Sequence, residues 1–99
     1  MPPVHRLNDV CSGHGCYSSR PIIKASETVF ADGMGIVGAT SPKIGQYAVH
    51  CCGPSCHDGF VAQGSSTVFV EGLPVARIGD PVSCGGTCKT GSPDVNVGG

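Results

Sequence analysis

Three short runs along the chain alternate between apolar and polar side chains, and each ends at glycine. They are residues 26–33, 65–72 and 92–99. Alternation with a period of two places successive side chains on opposite faces of a strand, so one face can be buried while the other meets solvent. Because glycine stops each run, the pattern predicts three short strands that end in turns.

A second phrase recurs beside these strands, with a basic residue, an aliphatic residue, a small or polar residue, and then an acid or an amide. Residues 3–9 and 74–80 carry clear copies, and residues 42–46 carry a weaker one. Aspartate closes turns through its own backbone. We therefore predict that Asp9 and Asp80 close turns and pair with the neighbouring arginine, which is a structural role and not a catalytic one.

Strand and phrase together form a unit that occurs three times and is too small to bury its own apolar face. Units of this kind stack around a shared axis, which brings their equivalent positions together. The pattern therefore predicts an all-β fold with little helix. His5 falls at the position of Ala76 in the third copy, and we expect it at the surface.

Each copy also carries a side chain that can bind a metal, four or five residues after its turn position. These are His14, His50 and Cys84, and His57, seven residues after His50, is a fourth candidate. Three imidazoles and one thiolate make a closed tetrahedral set, which is typical of a structural zinc ion. The same ligands can hold ferrous iron or copper. Four protein ligands leave no position for an activated water, which disfavours a metallohydrolase.

Composition and charge narrow the classes of partner. The 99 residues include 16 glycines and 8 prolines, which disfavour helices. Six basic and seven acidic residues give a formal charge of −1. We therefore expect neither a basic surface that binds nucleic acid nor a polybasic patch that binds a membrane. No apolar run exceeds three residues, and we expect a soluble protein without a signal peptide.

Seven cysteines in so short a chain indicate that disulfides or a metal stabilise the small core. If Cys84 binds a metal, six cysteines remain, and the sequence does not choose among their pairings. In a reducing cytosol they would stay thiols. The six are Cys11, Cys16, Cys51, Cys52, Cys56 and Cys88. A competing zinc site is weaker because no clean pair of Cys-x-x-Cys motifs supports it. That site would use Cys51, Cys52, Cys56 and Cys88.

Residues 74–80 (PVARIGD) resemble the proline-alanine-alanine-arginine phrase of the PAAR-repeat family, with one alanine replaced by valine. Residues 64–73 resemble the strand pair before that phrase, and residues 91–98 resemble the family's closing strand. Residues 13–16 and 50–54 lie in the expected order between the motifs. The resemblance covers essentially the whole chain.

The resemblance implies a small, pointed, all-β cone of three pseudo-threefold strand and turn repeats, with a metal site near its apex. In that family three histidines and one cysteine bind zinc. By motif position these roles fall on His14, His50, His57 and Cys84. The first repeat departs from the family, since residues 34–46 are longer than usual, with Lys43 and Gln46 where arginine and aspartate are expected.

The family's role implies a structural cap and not an enzyme. Such a cap sharpens the tip of a trimeric β-helical spike in type VI secretion systems, helps to pierce target membranes and docks effector proteins. It is made in the cytoplasm, loaded on the spike and secreted or delivered into target cells. The resemblance implies one structural zinc ion, transient contact with a target membrane and no nucleic acid. We expect a single domain over residues 1–99 without an effector extension.

Three other interpretations remain open at this stage. The first is a cap on the spike of a phage tail, because the same structural features would serve a phage tail and a secretion system. A secreted binding module stapled by disulfides is supported by the six remaining cysteines. A zinc enzyme would need an open coordination position and a nearby acid or base. Asp58, next to His57, is the one obvious candidate, and no carboxylate pair or nucleophile with its base accompanies it.

Overall fold

The computed structural model describes residues 1–98 and shows an all-β protein. Within that range it contains eight strands of two or three residues and no helix, so none is long and apolar enough to cross a membrane. The strands are β1 Ile22–Lys24, β2 Phe30–Ala31, β3 Met34–Gly35, β4 Gln46–Tyr47, β5 His50–Cys52, β6 Ser55–His57, β7 Phe69–Val70 and β8 Leu73–Pro74. The prediction of an all-β fold with little helix is confirmed. Gly99, the last residue of the third predicted run, lies outside the described residues.

The strands pair as four antiparallel ribbons, β1 with β4, β2 with β3, β5 with β6, and β7 with β8. Three of them are hairpins with two-residue loops. In the β2–β3 and β7–β8 hairpins, called the tight hairpins below, these loops are Asp32-Gly33 and Glu71-Gly72. All four turn residues have positive φ, between 51° and 83°. A two-residue hairpin turn of this kind needs both central residues in the left-handed region, which glycine enters without a steric penalty.

The three predicted strand runs are shorter in the structure because a serine turn breaks each of them. In the first run the hydroxyl of Ser26 accepts the backbone N–H groups of Thr28 and Val29, at 3.2 and 3.0 Å. Ser65 and Ser92 make the same pair of contacts in their runs. Hydroxyls that bind nearby backbone groups compete with strand pairing. The first two runs keep the strands β2 and β7, whereas the described part of the third forms only an isolated bridge.

Three buried segments, centred on His5, Val37 and Ala76, hydrogen-bond to one another in a closed cycle. The N–H of His5 donates to the carbonyl of Ala76 at 3.0 Å, that of Ala76 to Val37 at 2.9 Å, and that of Val37 to His5 at 3.0 Å. Each of these residues is 0% exposed. Three stretches that are distant in sequence are therefore joined directly, backbone to backbone.

This cycle corrects the position of the weak copy of the recurring phrase. Residues 35–41, and not residues 42–46, align with the other two copies. Asn8, Thr40 and Gly79 share a positive φ of 74°, 71° and 93°, and each donates its N–H to the carbonyl of a buried residue. Lys43 therefore does not stand at the arginine position. The sequence match was misleading because the backbone conformation, and not the charge pattern, defines the repeated turn.

The predicted turns at Asp9 and Asp80 are confirmed. Asp9 accepts the backbone N–H of Arg6 at 2.8 Å and its Nε at 2.9 Å. Asp80 accepts the corresponding groups of Arg77 at 2.8 and 3.2 Å. Burial by itself would raise the pKa of Asp9, but hydrogen bonds from Arg6 and Thr90 outweigh it and lower that pKa. Each carboxylate thus closes a turn and neutralises a largely buried guanidinium.

The apolar core consists of two small clusters. One contains Ile22, Val37, Val61 and Val82 and packs beneath the loops that carry the predicted metal ligands. The other includes Ala31 in β2 and Val70 in β7 and packs beside the two tight hairpins. The molecule measures 38 × 23 × 21 Å along its principal axes. Ligand loops and hairpins therefore have separate apolar supports.

The expectation that His5 lies at the surface is wrong, since it is 0% exposed. The predicted alignment of His5 with Ala76 is correct, but both residues lie in the buried cycle of backbone hydrogen bonds. Its Nδ1 lies 2.7 Å from the carbonyl oxygen of Thr90, and its Nε2 lies 2.7 Å from the hydroxyl of Tyr47. Because a carbonyl only accepts, Nδ1 carries the hydrogen, and Nε2 of the neutral ring accepts from the tyrosine. Burial lowers the pKa of His5.

Acid should destabilise the fold through His5. In the unfolded chain His5 titrates near its ordinary pKa of about 6.5, whereas burial keeps the folded residue neutral to lower pH. The unfolded state then binds more protons as the pH falls below about 6.5, so the free energy of unfolding decreases. We expect the melting temperature of chelator-treated protein to fall between pH 7.5 and 5.5, and to fall less in His5→Gln. Equal decreases in the two proteins would contradict this role of His5.

Candidate metal centre

The loops at one end of the molecule bring the four predicted metal ligands together. Three isolated bridges, Val10 with Pro21, Gln46 with Phe60 and Pro81 with Thr87, each close the base of one loop. The first loop carries His14, the second carries His50 and His57, and the third carries Cys84. Their ligand atoms all lie within 4.8 Å of one another.

The distances within this cluster are close to those of a tetrahedral metal site. Nε2 of His57 lies 3.1 Å from Nε2 of His14 and 2.9 Å from Nε2 of His50, and Sγ of Cys84 lies 3.8 Å from Nε2 of His50. Zinc bonds of about 2.0 Å to nitrogen and about 2.3 Å to sulfur place tetrahedral ligand atoms about 3.3 to 3.6 Å apart. All four ligand atoms lie within 4.8 Å of one another, so the group could hold one metal ion after modest side-chain shifts.

The register of the β5–β6 hairpin explains why two ligands come from one loop. His50 and His57 are directly opposite each other in the antiparallel pair. Side chains of opposed residues lie on the same face of a hairpin and close together. Both imidazoles therefore point toward the same side, where the other two loops supply His14 and Cys84.

A hydrogen bond fixes the orientation of the His50 ring. Its Nδ1 donates to the carbonyl oxygen of Ser18 at 2.8 Å, and the residue is only 5% exposed. With the hydrogen on Nδ1, the lone pair of Nε2 faces the cluster. Backbone carbonyls commonly fix a metal-binding histidine in this way.

Tyr17 is a component of the site that the sequence reasoning did not single out. Its ring centroid lies 4.8, 4.9 and 4.2 Å from those of His14, His50 and His57. Its hydroxyl donates to Oγ of Ser55 at 2.8 Å. Paired backbone hydrogen bonds to His14 hold it in place. The sequence feature that could have identified Tyr17 is its position, three residues after the predicted ligand His14.

The electrostatics of the cluster suit a cation. Desolvation and the neighbouring imidazoles of His50 and His57 lower the pKa of His14, which favours the neutral ring that a metal requires. Burial, mainly, raises the pKa of the Cys84 thiol. A bound cation reverses that effect, because a coordinating thiol is deprotonated by the metal.

Two glycines leave room for the ligands. A Cβ added at Gly59 would lie 2.7 Å from Sγ of Cys84, and one added at Gly85 would lie 3.2 Å from Cγ of His14. Gly85 also has a φ of 119°, a conformation that other residues rarely adopt. Because glycine has no side chain, the backbone at these two positions can approach Cys84 and His14 closely.

Asp58, the candidate acid or base of the enzyme interpretation, is exposed and accepts a hydrogen bond from the side-chain amide of Gln46 at 3.1 Å. Its carboxylate is thus engaged with a neighbouring surface side chain. That contact is a structural use of the residue, typical of an aspartate beside a glycine.

The structure does not assemble the competing zinc site built from four cysteines. Cys51 is disulfide-bonded to Cys56, and Cys16 to Cys52. Cys88 is buried, with its sulfur 3.3 Å from the hydroxyl of Tyr47. The thiols that this competing site requires are therefore either paired in disulfides or buried in the core. Among the described residues Cys11, Cys84 and Cys88 are free thiols.

Comparison with known proteins places this site in a family context. A 39-residue stretch is 44% identical to the NAD(P)(+) glycohydrolase toxin Tse6 of Pseudomonas aeruginosa, and a stretch of the same length is 44% identical to the (p)ppApp synthetase toxin Tas1 of that species. Each match spans 39% of this chain and 9% of the toxin. The model of the PAAR motif matches residues 12–90 and 57–99. These ranges cover most of the chain, and the protein therefore belongs to the PAAR-motif family.

Proposed function

We propose that the protein is a structural, non-enzymatic cap that sharpens the tip of a trimeric β-helical spike in a type VI secretion system. The observation that carries this proposal is the convergence of three loops on one group of three histidines and one cysteine. In a family whose members form spike tips, such a group would cross-link the loops through one structural zinc ion. His14, His50, His57 and Cys84 would hold it.

The exposed apolar side chains around the tight hairpins support docking on a spike. Phe30 and Phe69 are 57% and 59% exposed. Val29, Val68 and Val95, each three residues after a turn serine, are also exposed. Exposed apolar groups gathered on one surface are typical of a protein interface. This end would rest on the blunt end of the spike while the metal-binding loops point away from it.

Three serine contacts support a pseudo-threefold arrangement at the hairpin end. Ser26 in the first run donates to Glu71 at the turn of the second, Ser65 in the second run donates to the carbonyl of Gly98 in the third, and Ser92 in the third run donates to Asp32 at the turn of the first. These three acceptors lie six residues after the serine of their own run. A chain with three similar edges can match a threefold partner despite having no symmetry of its own.

The metal would stabilise the tip mechanically as well as thermodynamically. The strands are short, and the loops around the cluster contribute to the apolar core through residues near their bases, namely Cys11, Tyr47 and Val82. Zinc bound to four side chains contributes directly to folding free energy in small domains. A tip that is driven into a membrane would resist unravelling when its three loops share one ion.

Delivery of toxins is the process that the relatives suggest. Both matched proteins are named as toxins, and the matched segment is a small part of each. We infer that the segment shared with this chain is a cap and that effector proteins dock on it or accompany it. The protein would be made in the cytoplasm, loaded on the spike, and secreted or delivered into target cells.

The metal site predicts a metal content that single substitutions abolish. Purified protein should contain about one zinc ion per chain by elemental mass spectrometry, since four protein ligands complete one tetrahedral site. His50→Ala and Cys84→Ala should lose most of this metal and melt at lower temperature. His5→Gln is the matched control, because it removes an imidazole that lies outside the cluster, and it should retain the metal. Full metal content in His50→Ala would contradict the assigned ligands.

The docking surface predicts a specific loss of spike binding. The protein should co-elute with a trimeric spike protein from the same bacterium in size-exclusion chromatography. The double variant Phe30→Asp, Phe69→Asp should elute separately, because two buried charges in an apolar interface carry a large desolvation cost. Val49→Asp is the control, since Val49 is 51% exposed but lies beside His50 at the other end. Co-elution of the double variant, or loss of binding in the control alone, would contradict this docking surface.

A further inference from the structure

We propose that the disulfide between Cys16 and Cys52 is a redox-dependent lock on the metal site. The lock closes when a disulfide oxidant of the glutathione type reaches the protein outside a reducing compartment. This inference rests on the proposed function, since it concerns the retention of the ion that the cap would hold. It goes further by assigning a covalent modification to two cysteines outside the metal-binding group.

The position of this disulfide joins two ligand-bearing elements. Cys16 lies two residues after His14, and Cys52 lies two residues after His50. Alternation along β5 places Cys52 on the same face as His50, which is also the face of His57. The bond therefore ties the loop of the first ligand to the hairpin of the second and third. Three of the four ligands then belong to one covalently closed unit.

The second disulfide, between Cys51 and Cys56, is differently placed. The two residues are five apart in sequence and directly opposite each other in the β5–β6 hairpin. Cys51 precedes Cys52 by one position, so its side chain lies on the other face of the strand. This bond crosses a hairpin that its own strand pairing already closes. It provides a matched control for the effect of losing one disulfide.

Accessibility distinguishes the disulfide-bonded cysteines from the buried cysteines of the core. Cys16 is exposed and Cys52 is partly buried, so an oxidant can reach the pair from solvent. Cys11 and Cys88 also face each other across a β-bridge, but they are only 2% and 1% exposed. Thiol oxidation follows exposure. Cys51 and Cys56 are exposed as well, so both disulfide-forming pairs are open to oxidation, whereas the buried pair Cys11 and Cys88 remains reduced. The bond between Cys16 and Cys52 is the one that joins two ligand-bearing loops.

The reaction is an ordinary thiol–disulfide exchange. One thiol of the pair attacks the oxidant and forms a mixed disulfide, and the second thiol then displaces the remaining half. The two cysteine thiols together lose two electrons and two protons, and the oxidant's disulfide is reduced to two thiols. Bridging two residues 36 apart in sequence limits how far the loops can separate. Separation of these loops is the step that would release the ion.

Zinc release tests the lock on the protein as purified and loaded with zinc. One sample is treated with oxidised glutathione and another with a phosphine reductant, and thiols are counted by mass spectrometry after alkylation. The transfer of zinc to excess chromogenic chelator is then timed. We expect release from the oxidised protein to be slower by about tenfold or more, since the closed bond opposes loop separation. This comparison needs no substitution and so does not depend on the folding of a variant.

Two double variants assign the effect to one bond. Cys16→Ser, Cys52→Ser should release zinc at the reduced rate whatever the redox treatment. Cys51→Ser, Cys56→Ser should keep the difference between oxidised and reduced samples. Equal release rates in the two wild-type samples, or a difference that disappears only with the Cys51 and Cys56 pair, would overturn the lock while leaving the proposed cap intact. Protein that holds no zinc in either state would overturn the metal site and the lock together.

Discussion

The closed cycle of backbone hydrogen bonds through His5, Val37 and Ala76 is the constraint on which the rest of the structure depends. No strand in residues 1–98 exceeds three residues, so none could bury an apolar face with one neighbour alone. Joining three segments in a ring gives each of them two partners and leaves no free strand edge at this level. The ligand loops extend from one side of the ring and the tight hairpins from the other.

Polar side chains supplement the small apolar core in a regular way. Arg6 with Asp9 and Arg77 with Asp80 close equivalent turns, and Ser26, Ser65 and Ser92 anchor equivalent turns further along. Every buried side-chain nitrogen or oxygen in residues 1–98 has a hydrogen-bond partner. Satisfied buried polar groups avoid the desolvation penalty and favour one arrangement of the chain.

The division of the molecule into two ends links the fold to its proposed role. At one end, side chains from three loops converge on a group that could hold one metal ion, and one disulfide ties two of the loops together. At the other end, short hairpins expose valine and phenylalanine. A cap needs both properties, because the tip must resist unravelling while the base adheres to a partner.

The sequence by itself determined which chemistry is available. Residue types and spacing identified His14, His50, His57 and Cys84 as a metal-competent set, predicted the two arginine–aspartate turns, and indicated short strands stopped by glycine. Only the tertiary structure decided that residues 35–41 complete the ring, that His5 is buried, that Tyr17 covers the imidazoles and which cysteines pair. Those features depend on backbone conformation and on contacts between residues far apart in the chain. Neither the backbone conformation nor these long-range contacts can be read from local patterns of charge and hydropathy.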